Sequence, residues 1–224
     1  MTAYPAHMRS SPGSHTGRSG PAKWDTAGLL LEASAVGGPL DFPAIFGNRG
    51  PVEVEIGTGK GTFLLTRAAA KPELNFLGIE YAGAYCRYAA DRVRRAGLQN
   101  VRILHAEAQR VFATCLPAQC LLRVHVYFPD PWPKRKHHRR RLIQPAFTGS
   151  VRRVLRIGGQ LIIVTDHQGY FLHIRRVLQD IVGLASIPMP QMCDAEDQIT
   201  GTNFERKYLA QGRALYATAR LRYL

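Results

Sequence analysis

Cysteine is scarce: the chain has four, Cys86, Cys115, Cys120 and Cys193, among 224 residues. They form no CxxC pair and no zinc-ligand spacing. A disulfide-stapled scaffold and a structural metal site are therefore not expected, and the thiols read as the reduced ones of a cytoplasmic protein. Long apolar runs are missing too. No stretch approaches the ~18 residues of a membrane-spanning helix, and the first twenty residues lack the apolar core of a signal peptide. Acid is in short supply, with 16 Asp and Glu against 30 Lys and Arg, a net charge of +14. That imbalance implies a polyanionic partner, nucleic acid before a membrane surface. There is no internal repeat.

Acid is absent altogether from residues 1–22, which hold Pro5, Pro12, Pro21, four serines and three glycines. Such a segment cannot bury enough apolar surface to offset its ordering entropy, so it is expected to be a disordered tail. It is either a dispensable extension or a weak electrostatic arm for nucleic acid. Residues 23–224 are the right length for one domain, since domains run to ~100–200 residues.

From residue 52 a regular pattern begins. Short apolar, β-branched runs at Val52–Ile56, Asn75–Ile79, Val101–Leu104, Leu122–Phe128 and Gln160–Thr165 read as strands. Helical patterns fill the gaps at Thr62–Ala70, Tyr81–Ala96, Leu142–Leu155 and Tyr170–Val182. Strands alternating with helices mean right-handed βαβ units, hence a mostly parallel sheet with helices on both faces. Ala185–Met189 and Ala214–Leu224 read as two late strands with no long helix between them, so an antiparallel hairpin is expected at the sheet edge.

The first chemical signal is Glu53-Val54-Glu55-Ile56-Gly57-Thr58-Gly59-Lys60-Gly61, a glycine turn between strand and helix. It is not a phosphate-binding Walker loop, because Gly61 follows Lys60 where Ser or Thr is needed. Its GxGxG spacing also departs from the dinucleotide fingerprint. Glu80 follows the next strand about twenty residues later, where an acid can bind ribose hydroxyls. Glu107 follows the third. Glu55, Glu80 and Glu107 thus stand at successive strand ends, along the edge where open α/β sheets bind ligands. Glu55 beside the turn would repel the pyrophosphate of a nicotinamide dinucleotide. S-adenosylmethionine has no phosphate and carries a sulfonium cation, so an acidic rim favours a methyl donor over a dehydrogenase cofactor.

The second signal is Phe128-Pro129-Asp130-Pro131-Trp132-Pro133-Lys134. Its prolines stop the strand and stiffen the loop, holding Asp130 at the ligand edge. Trp132 either stacks on a base or props the loop. Lys134-Arg135-Lys136-His137-His138-Arg139-Arg140-Arg141 follows, with six of the thirty basic residues in eight positions and no acid. Beside a ligand crevice, such a run points to phosphate binding. An acidic pocket beside a basic rim suits methyl transfer to RNA or DNA. A guanine N7 carries no proton, so its attack needs alignment more than a general base, and a carboxylate such as Asp130 would stabilise the charge arriving on the base. These residues alone do not choose N7 over another acceptor.

The choice comes from resemblance. Residues 45–224 are similar to the bacterial tRNA (guanine-N7)-methyltransferase family through Val54–Gly61, Gly78-Ile79-Glu80, Phe128–Lys134 with its basic tail, Thr165-Asp166 and Thr202-Asn203-Phe204-Glu205. The glycine motif is common to most class I methyltransferases, whereas the Pro-Asp-Pro-Trp-Pro-Lys segment is highly specific. The resemblance implies a Rossmann-like sheet of seven strands with an antiparallel edge strand. It implies S-adenosylmethionine held by Glu55, Gly57, Gly59, Glu80, Glu107 and Asp130, with Asp130 as the candidate catalytic residue. Lys134, Asp166, Thr202, Asn203, Phe204 and Glu205 match substrate-binding positions; Lys136, His137, His138, Arg139, Arg140 and Arg141 match the RNA-contacting stretch. The implied target is guanosine 46 in the variable loop of tRNA, modified by a monomer or homodimer without a partner subunit. Glu107 stands where the family usually has Asp. Another nucleic-acid methyltransferase and a non-catalytic RNA-binding protein are the rival readings. Thr165-Asp166 also reads as a strand end with a helix cap, and Thr202–Glu205 as a capping box.

Overall fold

The computed structural model describes residues 24–26, 28–32, 38–193 and 198–224. The expected tail, 1–22, lies outside the described residues. In chain order the elements are β1 (Leu30–Glu32), α1 (Phe42–Phe46), β2 (Val52–Ile56), α2 (Thr62–Ala70), β3 (Asn75–Glu80), α3 (Gly83–Arg95) and β4 (Val101–His105). Then come α4 (Ala108–Arg110), running into a π-helical turn at Val111–Cys115, β5 (Leu121–Tyr127), a 3-10 segment (Arg135–Arg140), α5 (Pro145–Val154), β6 (Leu155–Thr165), α6 (Gln168–Gln179), β7 (Leu184–Ile187), α7 (Asn203–Ala210) and β8 (Tyr216–Arg222).

The eight strands form one sheet in the order β1-β4-β3-β2-β5-β6-β8-β7. The first six are parallel to one another, and β8 runs antiparallel to both β6 and β7. Two details differ from expectation. An eighth strand, β1, extends the far edge by pairing three residues with β4. The antiparallel strand β8 sits one place in from the opposite edge, with β7 outside it. The chain leaves β2 toward β3 and β4, then returns to β5 on β2's other side, so the topological switch point, where such sheets take ligands, lies between β2 and β5.

Strand alternation explains the packing. Leu161 and Ile163 of β6 enter one core with Val54, Leu77, Phe112, Phe147 and Tyr170. Ile162 and Val164 enter the other with Phe63, Phe76, Ala89, Ala90 and Val93. Both faces are therefore covered, as a parallel sheet requires. Each large side chain so buried stabilises by about 1.5–3 kcal/mol. β6 begins five residues earlier than its apolar run, because α5 stops at Val154 and Leu155 already pairs with Leu121.

Candidate active site

Three chain segments meet at the carboxyl end of the switch point. The first is the glycine turn. Gly57, Gly59 and Gly61 have φ of 74°, 54° and 71°, a left-handed region that other residues rarely occupy. The N–H of Gly57 donates to the Ile79 carbonyl at 2.8 Å, tying the end of β2 to the end of β3. Glu80 completes the tie, since its carboxylate accepts the Gly59 amide at 2.9 Å and the Ala82 amide at 2.8 Å. A side chain built at Gly57 would meet nothing within 4 Å, so the turn presents bare backbone to open space. Beneath it lies Glu55, 4% exposed. Its Oε2 has no hydrogen-bond partner among the described residues. Burial, and then the neighbouring Glu80 charge, push this carboxyl well above its ordinary value.

The second segment leaves β5. Phe128 and Trp132 both adopt positive φ, 52° and 42°, so two bulky residues take strained backbone around Pro129-Asp130-Pro131. The strain is held from outside. The Phe128 amide donates to Val164 at 2.7 Å, Arg141 Nε donates to the Pro131 carbonyl at 2.8 Å, and the Arg140 guanidinium lies 5.0 Å from the Trp132 ring centroid. Trp132 therefore props the loop and lines the cavity at the same time.

The third segment is α7, which sequence patterning gave only as a cap motif. Thr202 Oγ1 accepts the Glu205 amide at 3.1 Å, an N-cap. Glu205 is fully buried and accepts the amides of Ile199, Thr200 and Gly201 at 2.5, 2.7 and 2.7 Å. The preceding loop is thus wrapped around its carboxylate. Asn203 reaches across to donate to Thr62 Oγ1 at 2.9 Å. Phe204 and Tyr208 close an aromatic cluster on Phe128, with centroids 6.2 and 5.4 Å from it.

Between these segments lies a cavity of about 710 Å³. Of the residues singled out by sequence, Glu55, Gly57, Gly59, Glu80, Asp130, Arg140, Thr202, Asn203 and Phe204 line it. Glu107 does not: it is exposed beyond β4, at the N-cap of α4. Asp166 is outside the wall and paired with Arg213 at 2.8 Å. Glu205 is also off the wall, and its role here is to shape the loop that carries Thr202. Lys134 at the N-cap of the 3-10 segment, and Lys136, Arg139 and Arg140 on it, are exposed, with His137 and His138 half-buried, beside the mouth. Arg141 departs from the RNA-facing expectation. It is buried against Pro131 and over the Tyr170 ring at 4.9 Å, so it is turned away from solvent.

Residues 49–218 match the model of a family described as "Putative methyltransferase". A tRNA (guanine-N(7)-)-methyltransferase of Idiomarina loihiensis is 36% identical over 204 residues, covering 86% of this chain and 78% of the relative. One from Alkalilimnicola ehrlichii is 37% identical over 86% of this chain and 81% of its own length. The chain belongs to the tRNA (guanine-N(7)-)-methyltransferase family. Among solved structures, a 30S ribosomal A1408 methyltransferase from an uncultured bacterium superposes with a TM-score of 0.56 at 16% identity, covering 80% of this chain and 91% of that one. A SAM dependent methyltransferase from Aquifex aeolicus gives 0.53 at 14%, covering 78% and 84%. The sheet of this family member is therefore the Rossmann-like class I methyltransferase fold.

In this methyltransferase a buried polar chain runs from the cavity wall into the sheet, and sequence reasoning passed over it. Tyr127, which lines the cavity, is 2.8 Å through its hydroxyl from His125 Nδ1. His125 Nε2 is 2.9 Å from Glu53 Oε2. Arg67 donates to both Glu53 oxygens at 2.6 and 3.0 Å, and Arg123 to Oε1 at 2.8 Å. Burial alone would raise the Glu53 carboxyl. The bonds from His125 and Arg67 and the charge of Arg123 outweigh it and hold Glu53 well below the usual carboxylate range. His125 goes down to about 4, first through burial, with the charges of Arg67 and Arg123 adding to it against Glu53. A neutral imidazole facing a carboxylate must donate from Nε2, so Nδ1 accepts from Tyr127. The available signal was alternation: polar residues at every second place in strands covered on both faces must pair with each other.

Proposed function

We propose that this chain transfers a methyl group from S-adenosylmethionine to N7 of the variable-loop guanine at tRNA position 46. The observation carrying this reading is that one cavity joins an unpaired buried acid, Glu55, to a carboxylate, Asp130, on a proline-stiffened loop beside an exposed basic run. The donor fits the residues present. Glu55 supplies a carboxyl group with a vacant oxygen that gives up its proton when a cation binds, Gly57 leaves backbone open to the ligand, and Glu80 keeps lone pairs beyond its two amide bonds for ribose hydroxyls. When bound, S-adenosylmethionine supplies a methyl group on a positively charged sulfur that departs as a neutral thioether.

The chain's own residues then do three things. The strained, braced loop fixes Asp130 where positive charge passes onto the guanine, and a fixed carboxylate there stabilises the transition state. No residue has to remove a proton, because N7 bears none, so alignment is the main demand. Lys134, Lys136, Arg139 and Arg140, with His137 and His138, hold backbone phosphates, while Thr202–Phe204 border the incoming base and Asp166 stands beyond the wall on Arg213. A base buried in tertiary pairing has to be exposed before it reacts. The reaction would take place in the cytoplasm, by a monomer or homodimer without an obligatory partner protein.

The test is methyl transfer from labelled S-adenosylmethionine to unmodified tRNA by the chain alone, with nucleoside analysis. The expected product is 7-methylguanosine, lost when guanine 46 is replaced. Another methylated nucleoside would keep donor and fold and overturn the acceptor. No donor binding would favour a non-catalytic RNA-binding protein.

A further inference from the structure

Among the described residues Glu55 is the one buried acid at the cavity left without a partner on Oε2, although a base stands next to it. In the β2–β5 register Glu53 faces Arg123 and Glu55 faces His125. The imidazole does not serve its register neighbour. It is turned back along the strands to Glu53, and its second nitrogen is taken by the Tyr127 hydroxyl. Both nitrogens are occupied, so none remains for Glu55.

We propose that Tyr127 and Glu53 are positioning residues that hold the His125 imidazole away from Glu55, so that Glu55 meets a cationic ligand unpaired. This rests on the reading that the cavity takes S-adenosylmethionine. Two observations support it beyond the contacts themselves. Glu53 is held ionised by its two arginines, one from α2 and one from β5, so it accepts from His125 as a carboxylate, whereas burial favours the neutral form of Glu55; Arg67 also ties together the two elements that flank the glycine turn. Buried ionic clusters stabilise a fold no better than well-packed apolar residues of the same volume, so stability alone does not account for one beside the cavity. The charged and titratable groups around His125 are Glu53 and Glu55 on β2, Arg67 on α2, and Arg123 and Tyr127 on β5. Phe63 of α2 packs on the ring at 4.7 Å, and from β6 only Ile162 stands beside it in register.

The decisive variant is Tyr127→Phe, which removes one oxygen and frees His125 Nδ1. Calorimetry on the ligand-free protein should show S-adenosylmethionine binding about 10- to 150-fold weaker, the range for losing a charge-assisted contact. Adding His125→Phe to that variant should bring affinity back to within about twofold, because the competing base is gone. Equal weakness in the single and double variants would mean a merely structural role and overturn the proposal, as would wild-type affinity in Tyr127→Phe. A second readout needs no cofactor. By nitrogen-15 NMR of the imidazoles, His125 should titrate at higher pH in Tyr127→Phe, and Glu55→Gln in that background should reverse the change. An unmoved titration overturns the inference whether or not the wild type binds S-adenosylmethionine, whereas wild-type failure to bind with the predicted NMR changes would overturn only the choice of ligand.

Discussion

The two carboxylate oxygens of Glu80 accept separate backbone amides, Gly59 at 2.9 Å on one side and Ala82 at 2.8 Å on the other. The acid at the end of β3 therefore builds the glycine turn at the end of β2, before any ligand arrives. In Glu80→Gln one oxygen becomes an NH2 group facing an amide donor, and the turn loses a charge-assisted bond of about 1.5–3 kcal/mol. Titration with S-adenosylmethionine should show affinity reduced about tenfold or more, with tRNA affinity unchanged. Wild-type donor affinity in this variant would mean that Glu80 neither holds the turn nor meets the ligand.

Asp130 sits between Pro129 and Pro131, with positive-φ residues on both flanks of that triplet. Its carboxylate is aimed by backbone rather than by side-chain partners among the described residues, so replacing it leaves the loop standing. Asp130→Ala is expected to lower kcat by about a hundredfold or more, the usual effect of removing a preorganised charge-stabilising group. Filter-binding affinity for tRNA should stay within a few-fold. Near-normal turnover would remove Asp130 from the chemistry.

Legibility followed the physics of each segment. β2 to β6 could be read because β-branched runs bounded by breakers have few alternatives. β1 could not, since its three residues pair with β4 alone at an edge. α7 was visible only as a cap: Thr202 announced a helix start, but of the following eight residues only Glu205 is buried, so no run of core residues marks the helix. At the site, glycine, proline and acid positions were legible because backbone conformation and charge are local properties. Orientation was not. The burial of Arg141 depends on Pro131 and Tyr170, which lie ten and twenty-nine residues away, and the turning of Glu205 into its own loop depends on a loop conformation with no mark in the sequence pattern. The Glu53–His125–Tyr127 chain was hidden by distance, with 72 residues separating its first pair.

Arg141 and its neighbours give a separable pair of outcomes. Arg139 and Arg140 are exposed beside the cavity, whereas Arg141 is buried against Pro131 and Tyr170. Replacing Arg139 and Arg140 by Ala should weaken tRNA binding and flatten its dependence on log salt, by about 0.7–0.9 per lost phosphate contact. Thermal stability should fall by no more than about 0.5–1 kcal/mol, the loss of the Arg140 contact on Trp132. Arg141→Ala should do the reverse, lowering stability by about 1–3 kcal/mol through the orphaned carbonyl and lost packing, with an almost unchanged salt slope. Salt titrations and melting curves on the same preparations distinguish the two. A flattened slope in Arg141→Ala would place that side chain on RNA after all.

If the proposed donor site is right, Glu55 should make donor binding depend on pH in a predictable direction. Its ordinary value is 4.5, and burial together with the Glu80 charge holds its proton on well above that. In the ligand-free enzyme the acid is therefore neutral at low pH and ionises only as pH rises through its raised value. A sulfonium ligand binds the ionised form, so binding must expel the proton. Affinity should then climb with pH, by at most about one decade per unit, and level off once Glu55 is ionised without help. The demethylated product lacks the sulfur charge and should show a shallower climb. Glu55→Gln, with nothing to ionise, should bind weakly with this slope abolished. Calorimetry in two buffers of different ionisation enthalpy counts the proton released. A wild-type affinity that is flat with pH, with no proton released, would mean that Glu55 is already ionised or does not face the donor.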